Sequence, residues 1–204
     1  SKEGYTFSGW DQTLPATMPA ENLVISGTFS INEYSITYKV AGEADVVEKY
    51  NYGVAITIRA DLDKTGHSFS WDQTLPATMP ANDIVVIGTF TINQYTITFD
   101  SDGGSLVAAI TKDYGAEVSA PADPSKEGYT FAGWNQTIPG TMPAENLTIK
   151  ASWTVKQYTI TYKVDGEVDG EVETHDFGAA ITLRGVASKE GYTFSGWDQT
   201  LPAT

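Results

Sequence analysis

Two acidic stretches of the sequence could bind a metal ion, because carboxylate oxygens are ligands of Ca²⁺. Residues 100–103 read Asp-Ser-Asp-Gly, and residues 165–171 read Asp-Gly-Glu-Val-Asp-Gly-Glu. A full calcium loop needs more acidic positions and a closing bidentate Glu, and the corresponding residues 39–42 lack an Asp pair. We therefore interpret residues 100–103 as a turn and residues 165–171 as a solvated loop, and we expect no metal or other cofactor.

Tryptophan rings could support a second kind of chemistry, the stacking of sugar rings along a row of exposed indoles. In a small folding unit the alternative is that each ring fills the core, since a buried aromatic side chain covers about 150–250 Å². Trp153 lies on one face of an alternating strand pattern, which favours the core interpretation. The predicted structural core residues are Trp10, Trp71, Trp134, Trp153, Trp197, Tyr95, Ile97 and Phe99.

The arrangements of residues that are typical of enzymes do not occur in the sequence. No nucleophile is paired with a base, no phosphate-binding loop is present, and the two histidines, His67 and His175, occupy non-equivalent positions. We therefore predict that the protein is not an enzyme.

A repeated motif organises the whole chain. Residues 1–17 and residues 188–204 are identical, and four of the tryptophans are spaced 61, 63 and 63 residues apart. A period this regular indicates one small structural unit copied in series. The predicted domains are residues 1–32 as the C-terminal part of a truncated repeat, 33–93 and 94–156 as complete repeats, and 157–204 as the N-terminal part of another.

The composition limits the classes of partner. The chain has 204 residues, with 12 basic and 26 acidic side chains and a net charge of −14, which argues against binding to nucleic acid. It has no Cys, and no apolar run approaches the ~20 residues needed for membrane insertion. Because the first residue is Ser and no signal peptide is visible, we expect a fragment of a longer protein whose targeting segments lie elsewhere.

The repeat unit has the pattern of a mainly β fold. Tyr95, Ile97 and Phe99 alternate with Thr residues, as in a strand with one buried face. Residues 116–124 are the only stretch of the unit in which we expect a short helix, and prolines limit it to about one turn. The four predicted strands of this unit lie at about residues 95–99, 105–112, 128–134 and 147–155.

The junctions between units are short. The apolar alternation runs through Ile31 on odd positions and resumes at Tyr34 on even positions, so the face that points to the core changes there. Flexible connections need Gly/Ser-rich spacers, and none occur. We therefore expect units joined end to end in a rod, each adding roughly 30 Å.

Three segments together resemble the Listeria–Bacteroides repeat family, which includes the internalin B-repeat. They are YTITFDSDGGS, KDYGAEVSAPADPSKEGYTFAGW and NLTIKASW, and they cover residues 95–153 and recur from residue 34 to residue 90. The resemblance implies a β-grasp-like fold in tandem copies on bacterial surface proteins, with adhesive or spacer roles. It also implies an extracellular location at the cell surface. The protein would be attached to the bacterial cell wall through segments outside this chain. The first complete repeat departs from the pattern, since His67 replaces Tyr and no Gly precedes Trp71.

Two functions fit this resemblance, a structural stalk of an adhesin-like surface protein and a multivalent module that binds a host protein or a glycan. The outward positions of the last strand discriminate between them, because a binding face would keep its side chains from copy to copy. Thr148 and Lys150 correspond to Val85 and Ile87, so these positions vary. The variation favours the stalk.

The two partial repeats at the ends are complementary. Residues 1–32 carry closing strands without opening ones, and residues 157–204 carry opening strands without the last one. An unpaired strand edge is a template for pairing with another chain. We therefore expect head-to-tail self-association through the two truncated repeats.

Overall fold

The computed structural model describes residues 1–185 and 188–199, so parts of the predicted unit 157–204 lie outside the described residues. The chain divides into two compact units, residues 1–93 and residues 94–204. The described residues form five small sheets and contain no helix, which confirms the prediction of a mainly β protein. No helix among them is long and apolar enough to cross a membrane.

The first unit contains a two-stranded sheet and a four-stranded sheet. Its strands are β1 (Tyr5–Trp10), β2 (Gly27–Ile31), β3 (Glu33–Val40), β4 (Val46–Asn51), β5 (His67–Trp71) and β6 (Ile84–Ile92). β1 and β2 pair antiparallel, and the larger sheet has the order β4-β3-β6-β5. Its first and last strands, β3 and β6, lie side by side in parallel at its centre, and the two outer pairings are antiparallel.

The second unit contains a four-stranded sheet of the same topology and two short two-stranded sheets. Its strands are β7 (Gln94–Asp100), β8 (Ile110–Asp113), β9 (Tyr129–Trp134), β10 (Leu147–Val155), β11 (Gln157–Ile160), β12 (Lys163–Val164), β13 (Glu167–Val168) and β14 (Glu173–Asp176). The four-stranded sheet has the order β8-β7-β10-β9, with β7 and β10 parallel at its centre. β11 pairs with β14, and β12 with β13, in two short antiparallel sheets.

Two expectations for this unit need correction. The second strand begins at Ile110 instead of residue 105, because the backbone amide of Ser105 donates to the carbonyl of Ser125 (2.7 Å) and not to β7. Residues 116–124 contain no helical turn, and Pro121 and Pro124 account for its absence. The last strand, β10, has the predicted bounds and the predicted alternation of buried and exposed side chains.

Each complete repeat has its own core of five buried side chains, contributed by equivalent positions. Ile36, Tyr38, Ile56, Met79 and Val86 form the first core, and Ile97, Phe99, Val118, Met142 and Ile149 form the second. The first and last strands supply three of the five. The crossover that follows the second strand supplies Ile or Val, and the loop before the last strand supplies Met. The sheet is therefore covered on one face by loops in the place where a helix would otherwise pack.

A side chain just before the last strand accepts a hydrogen bond from the backbone of the first strand, and we call this side chain the cap. The carboxylate of Asp83 accepts hydrogen bonds from the backbone amide (2.7 Å) and the hydroxyl (2.9 Å) of Ser35. These bonds lower the pKa of Asp83, the backbone amide having the larger effect. In the second repeat the side chain oxygen of Asn146 accepts from the amide of Thr96 (2.8 Å). A neutral amide thus makes the same backbone bond as the carboxylate.

We predict that Met79→Ala destabilises the first complete repeat by about 2–5 kcal/mol, because the side chain is 1% exposed and its loss leaves a cavity. Met18, at the same position in residues 1–32, is 72% exposed and provides the matched control. Met18→Ala should change the free energy of unfolding by less than about 0.5 kcal/mol. Hydrogen exchange of the β1, β3 and β6 amides measures both effects, and equal losses at the two positions would contradict this description of the core.

The Asp83 cap predicts a pH dependence that Asn146 lacks. Because the pKa of Asp83 is lowered in the folded state, its contribution is present near neutral pH and is lost as the pH falls through that lowered value. Asp83→Asn should remove this acid-dependent loss and keep the bond to the Ser35 amide, while Asp83→Ala should lower Tm at neutral pH. Thermal unfolding measured between pH 2 and pH 7 tests both predictions. If the Tm of Asp83→Asn fell at low pH as much as that of the unaltered protein, the result would be inconsistent with the cap.

Candidate functional site

The polar groups of the Asp-rich turn at residues 100–103 are bonded to one another and to lysine side chains. The amide of Asp102 donates to the carboxylate of Asp100 (2.9 Å), and Asp102 and Gly103 both have positive φ, which is typical of a tight turn. The Nζ of Lys150 lies 2.8 Å from the Asp102 carboxylate and holds its pKa below the usual value. Within the described residues no group of three or more side chains is placed to hold a metal ion.

The acidic residues 165–171 lie on and beside the β12–β13 hairpin. Basic side chains contact these residues. Arg184 donates to the carbonyl of Asp169 and forms an ion pair with Glu173 (3.3 Å). Lys189 contacts the carboxylate of Asp165 at 2.5 Å. These pairs are partly exposed, so each contributes modestly to stability. These contacts link the hairpin and its flanking residues to Arg184 and Lys189.

Most of the predicted core tryptophans pack inside their own repeat. The indole ring of Trp71 lies 5.3 Å from the ring of Tyr38, and Trp134 lies 5.1 Å from Phe99. Trp197 packs on Tyr162 at 4.9 Å in the same way. Tyr38 and Phe99 lie on the first strands of their repeats, β3 and β7, and Tyr162 occupies the corresponding position just after β11. Each of these rings is therefore partly covered within its own repeat.

Indole N–H groups tie the tryptophans to the crossovers and turns. Trp71 donates to the carbonyl of Arg59 (3.1 Å), and Trp197 donates to the carbonyl of Arg184 (3.2 Å). Trp153, on β10, donates to the carbonyl of Ser101 in the Asp-rich turn (3.0 Å). Each bond gives the N–H group of a half-buried indole a partner within the same repeat.

Trp10 departs from the expectation of a core residue. It is 65% exposed and contacts Phe7 of its own strand, with ring centroids 5.0 Å apart. The physical reason is that residues 1–32 contain no first strand, so no equivalent of Tyr38 or Phe99 covers it. The remaining predicted core residues lie inside the second complete repeat, where Ile97 and Phe99 are buried and Tyr95 is partly buried against them.

A contact that the sequence analysis missed joins successive repeats within each unit. In the first unit the amide of Asn32 donates to the carbonyl of Gly4 (2.9 Å), and the amide of Tyr52 donates to the carbonyl of Asn32 (2.9 Å). The ring of Tyr52 lies edge-on to that of Tyr5 at 6.0 Å. The single residue between β2 and β3 is thereby bonded to both repeats.

The second unit has the same contact at equivalent positions. The amide of Lys156 donates to the carbonyl of Gly128, and the amide of Phe177 donates to the carbonyl of Lys156, both at 2.8 Å. The rings of Phe177 and Tyr129 are 6.0 Å apart. We call this arrangement the glycine–aromatic junction, formed by Gly4 with Tyr52 and by Gly128 with Phe177.

The glycine at each junction is required by the close approach of the ring. A Cβ atom on Gly4 would lie 2.1 Å from the Tyr52 ring, and one on Gly128 would lie 2.0 Å from the Phe177 ring. Both glycines also have positive φ, of 72° and 73°. The signal in the sequence is the pairing of a Gly-Tyr dipeptide in one repeat with Tyr-Gly or Phe-Gly in the next.

Comparisons with known proteins place these features in a wider context. A family model described as the Listeria-Bacteroides repeat domain matches residues 34–74, 95–154 and 158–201. A protein of Evansella cellulosilytica described as a Gly-rich membrane protein is 29% identical over 97% of this chain and 26% of its own length. Internalin H of Listeria monocytogenes is 40% identical over 45% of this chain and 18% of its own length. The chain thus spans less than a third of these curated relatives.

A solved structure is also similar to part of the chain. It is titled Streptococcal High Identity Repeats in Tandem (SHIRT) domains 3-4 from cell surface protein. It covers 60% of this chain and 98% of its own, with 19% sequence identity and a TM-score of 0.26.

We predict that Gly128→Ala opens the second glycine–aromatic junction, because the new methyl group overlaps the Phe177 ring. Hydrogen exchange of the Phe177 amide should become at least about tenfold faster, while the β7 and β10 amides keep their protection. Gly115→Ala is the matched control, since Gly115 has φ 76° but no atom within 4 Å of the added Cβ. The control carries only the left-handed backbone cost of about 1–2 kcal/mol. Equal effects of the two variants on Phe177 would show that the ring contact is unimportant.

Proposed function

The chain belongs to the Listeria-Bacteroides repeat domain family, as its motifs predicted, and we propose that its repeats form a non-catalytic stalk of a bacterial cell-surface protein. In this role the repeats act as a spacer that holds another part of the protein away from the cell. The relatives described as a membrane protein and as Internalin H support an association with the cell surface.

The glycine–aromatic junction is the observation that carries the proposal. It occurs twice with the same atoms, and in both places one residue, Asn32 or Lys156, separates the last strand of one repeat from the first strand of the next. A one-residue linker that is itself hydrogen-bonded to both repeats has little freedom to bend. A spacer needs this property, because free hinges would let the distal part fall back towards the surface.

Differences between the outward faces of the sheets also support a spacer. Val85 and Ile87 are half exposed on β6, whereas Thr148 and Lys150 occupy the same positions on β10. A surface that binds one ligand in every copy would keep a shared set of side chains. The aromatic side chains that the repeats do share are largely engaged within the repeats or at the junctions.

Stiffness at the second junction tests the proposal directly. The chain has no Cys, so Thr148→Cys and Thr174→Cys introduce the only two sites for nitroxide labels, one on the outer face of β10 and one on β14. Pulsed electron spin resonance should give one narrow distance distribution. Gly128→Ala in this background should broaden it, and Gly115→Ala should leave it narrow.

Binding assays provide the opposing outcome. The stalk has no specific ligand of its own, so a glycan array and a screen of host surface proteins should return none. A ligand that binds the complete repeats with avidity, together with a broad distance distribution in the unaltered chain, would favour the multivalent binding module instead.

A further inference from the structure

The direction in which tension acts on each complete repeat follows from the position of its two ends. The first repeat begins at β3 and ends at β6, and these strands lie side by side in parallel. The second repeat begins at β7 and ends at β10, which are also parallel neighbours. The chain therefore enters at one end of the paired strands and leaves at the opposite end. Tension along the chain pulls the two partner strands in opposite directions along their length.

Shear of this kind acts on the whole ladder of backbone hydrogen bonds at once. The bonds between parallel strands are evenly spaced, and residues 36–40 pair with residues 84–88 without a break in register. Neither strand can slide past the other until the bonds between them fail together. Two strands pulled apart from one end would lose the same bonds one at a time, and each step would need a lower force.

The parallel ladder is also the place where the sheet has to divide under tension. In the order β4-β3-β6-β5 the two outer pairings are antiparallel, and the β3–β6 pairing joins them. Residues 33–35 of β3 pair with β4, and residues 89–92 of β6 pair with β5, on either side of the parallel segment. A pull on the two ends of the repeat is therefore transmitted through the parallel segment.

The cap lengthens the contact between the first strand and the last. Ser35 and Asp83 come directly before Ile36 and Ile84, the first pair of the ladder. The carboxylate of Asp83 accepts from the amide and the hydroxyl of Ser35, and the second repeat has the equivalent bond to the amide of its own first strand. These side-chain bonds resist the same sliding movement as the ladder.

Buried side chains keep water away from the inner side of the ladder. Ile36 and Val86 are fully buried, Tyr38 is nearly so, and Met79 packs against them. Water competes for backbone donors and acceptors, which reduces the net strength of a hydrogen bond between strands. A bond of the ladder that begins to open therefore gains no replacement from water on this face.

The second repeat has a shorter ladder and two additional side-chain bonds. Its parallel segment contains four residue pairs, against five in the first repeat. The Nζ of Lys150 lies 2.8 Å from the carboxylate of Asp102, and the indole of Trp153 donates to the carbonyl of Ser101 (3.0 Å). Both bonds tie the last strand to the turn that follows the first strand. They therefore add to the resistance of the shorter ladder.

We propose that each complete repeat is a module that resists tension, in which the parallel pairing of its first and last strands withstands a pull along the chain. The use of this property rests on the proposed stalk function, since a spacer transmits any pull on the part of the protein that it holds away from the cell. The response to force itself follows from the topology of the single repeat.

Pulling the first complete repeat in two directions tests the proposal. The chain has no Cys, so DNA handles attached to two introduced Cys residues set the direction of the force in optical tweezers. Glu33→Cys with Thr91→Cys pulls along the strands of the ladder. Ala41→Cys with Thr91→Cys pulls on the same end of β3 and β6, so the ladder opens from that end. All three side chains are exposed, so the substitutions leave the core intact.

The pair at residues 33 and 91 should need a rupture force at least about twofold higher at the same loading rate, because forced unfolding depends on the unfolding barrier and not on equilibrium stability. Chemical denaturation is the control, since both variants keep the same ladder and core and should have the same free energy of unfolding. Equal rupture forces in the two directions, or a higher force for the pair at residues 41 and 91, would overturn the proposal.

Substitution of the cap provides a second measurement. Asp83→Ala removes both bonds to Ser35, so it should lower the rupture force when the repeat is pulled at residues 33 and 91. Pulling at residues 41 and 91 should give an unchanged force, because the ladder then opens from the opposite end and the cap breaks last. Asp83→Asn keeps the bond to the amide and should give an intermediate force. An equal proportional fall in both directions would contradict the proposal.

These measurements are independent of the stiffness of the glycine–aromatic junction. Equal rupture forces together with a narrow spin-label distance distribution would remove the resistance to tension and keep the stalk. A broad distance distribution together with a rupture force that depends on direction would remove the stalk and keep the resistance of the repeat.

Discussion

Closure of each repeat depends on the parallel pairing of its first and last strands. β3 with β6, and β7 with β10, form the centre of a four-stranded sheet whose inner face is too small to bury much apolar area by itself. The loop that precedes the last strand places a Met side chain, Met79 or Met142, over that face. When the last strand is paired with the first, this loop, the crossover and the sheet together exclude water from a small core of five buried side chains.

The half-repeats show what this pairing provides. Residues 1–32 keep the antiparallel β1–β2 hairpin without a first strand, and their Trp and Met side chains remain exposed. Residues 157–199 keep the β11–β14 pairing without a last strand, and residues 192–197 do not form the strand that their sequence forms elsewhere. The same sequence thus has different structures in different copies, because the partner strand decides whether it is paired.

The glycine–aromatic junction connects one closed repeat to the next and limits the freedom of the linker between them. The linker residue Lys156 shifts the less exposed positions from odd on β10 to even at Ile160 and Tyr162, so the face of the backbone that points to the core changes there. The aromatic ring at the end of the second strand then packs on the backbone of the preceding repeat, where a glycine allows it to approach. Because the ring belongs to one repeat and the glycine to another, neither residue has an evident purpose when a single repeat is considered alone.

The sequence by itself determined the repeat period, the absence of disulfides, the alternation of β10 and the family to which the chain belongs. These are local or periodic properties, and alternation at β10 follows directly from one buried face. Only the tertiary structure decided that β8 is short, since Ser105 bonds a residue twenty positions away, and that Gly128 contacts Phe177 from the next repeat. It also decided that Trp10 is exposed while Trp71 is covered. Burial depends on which strand lies alongside, and that neighbour is distant in the chain, so identical motifs in the sequence acquire different environments.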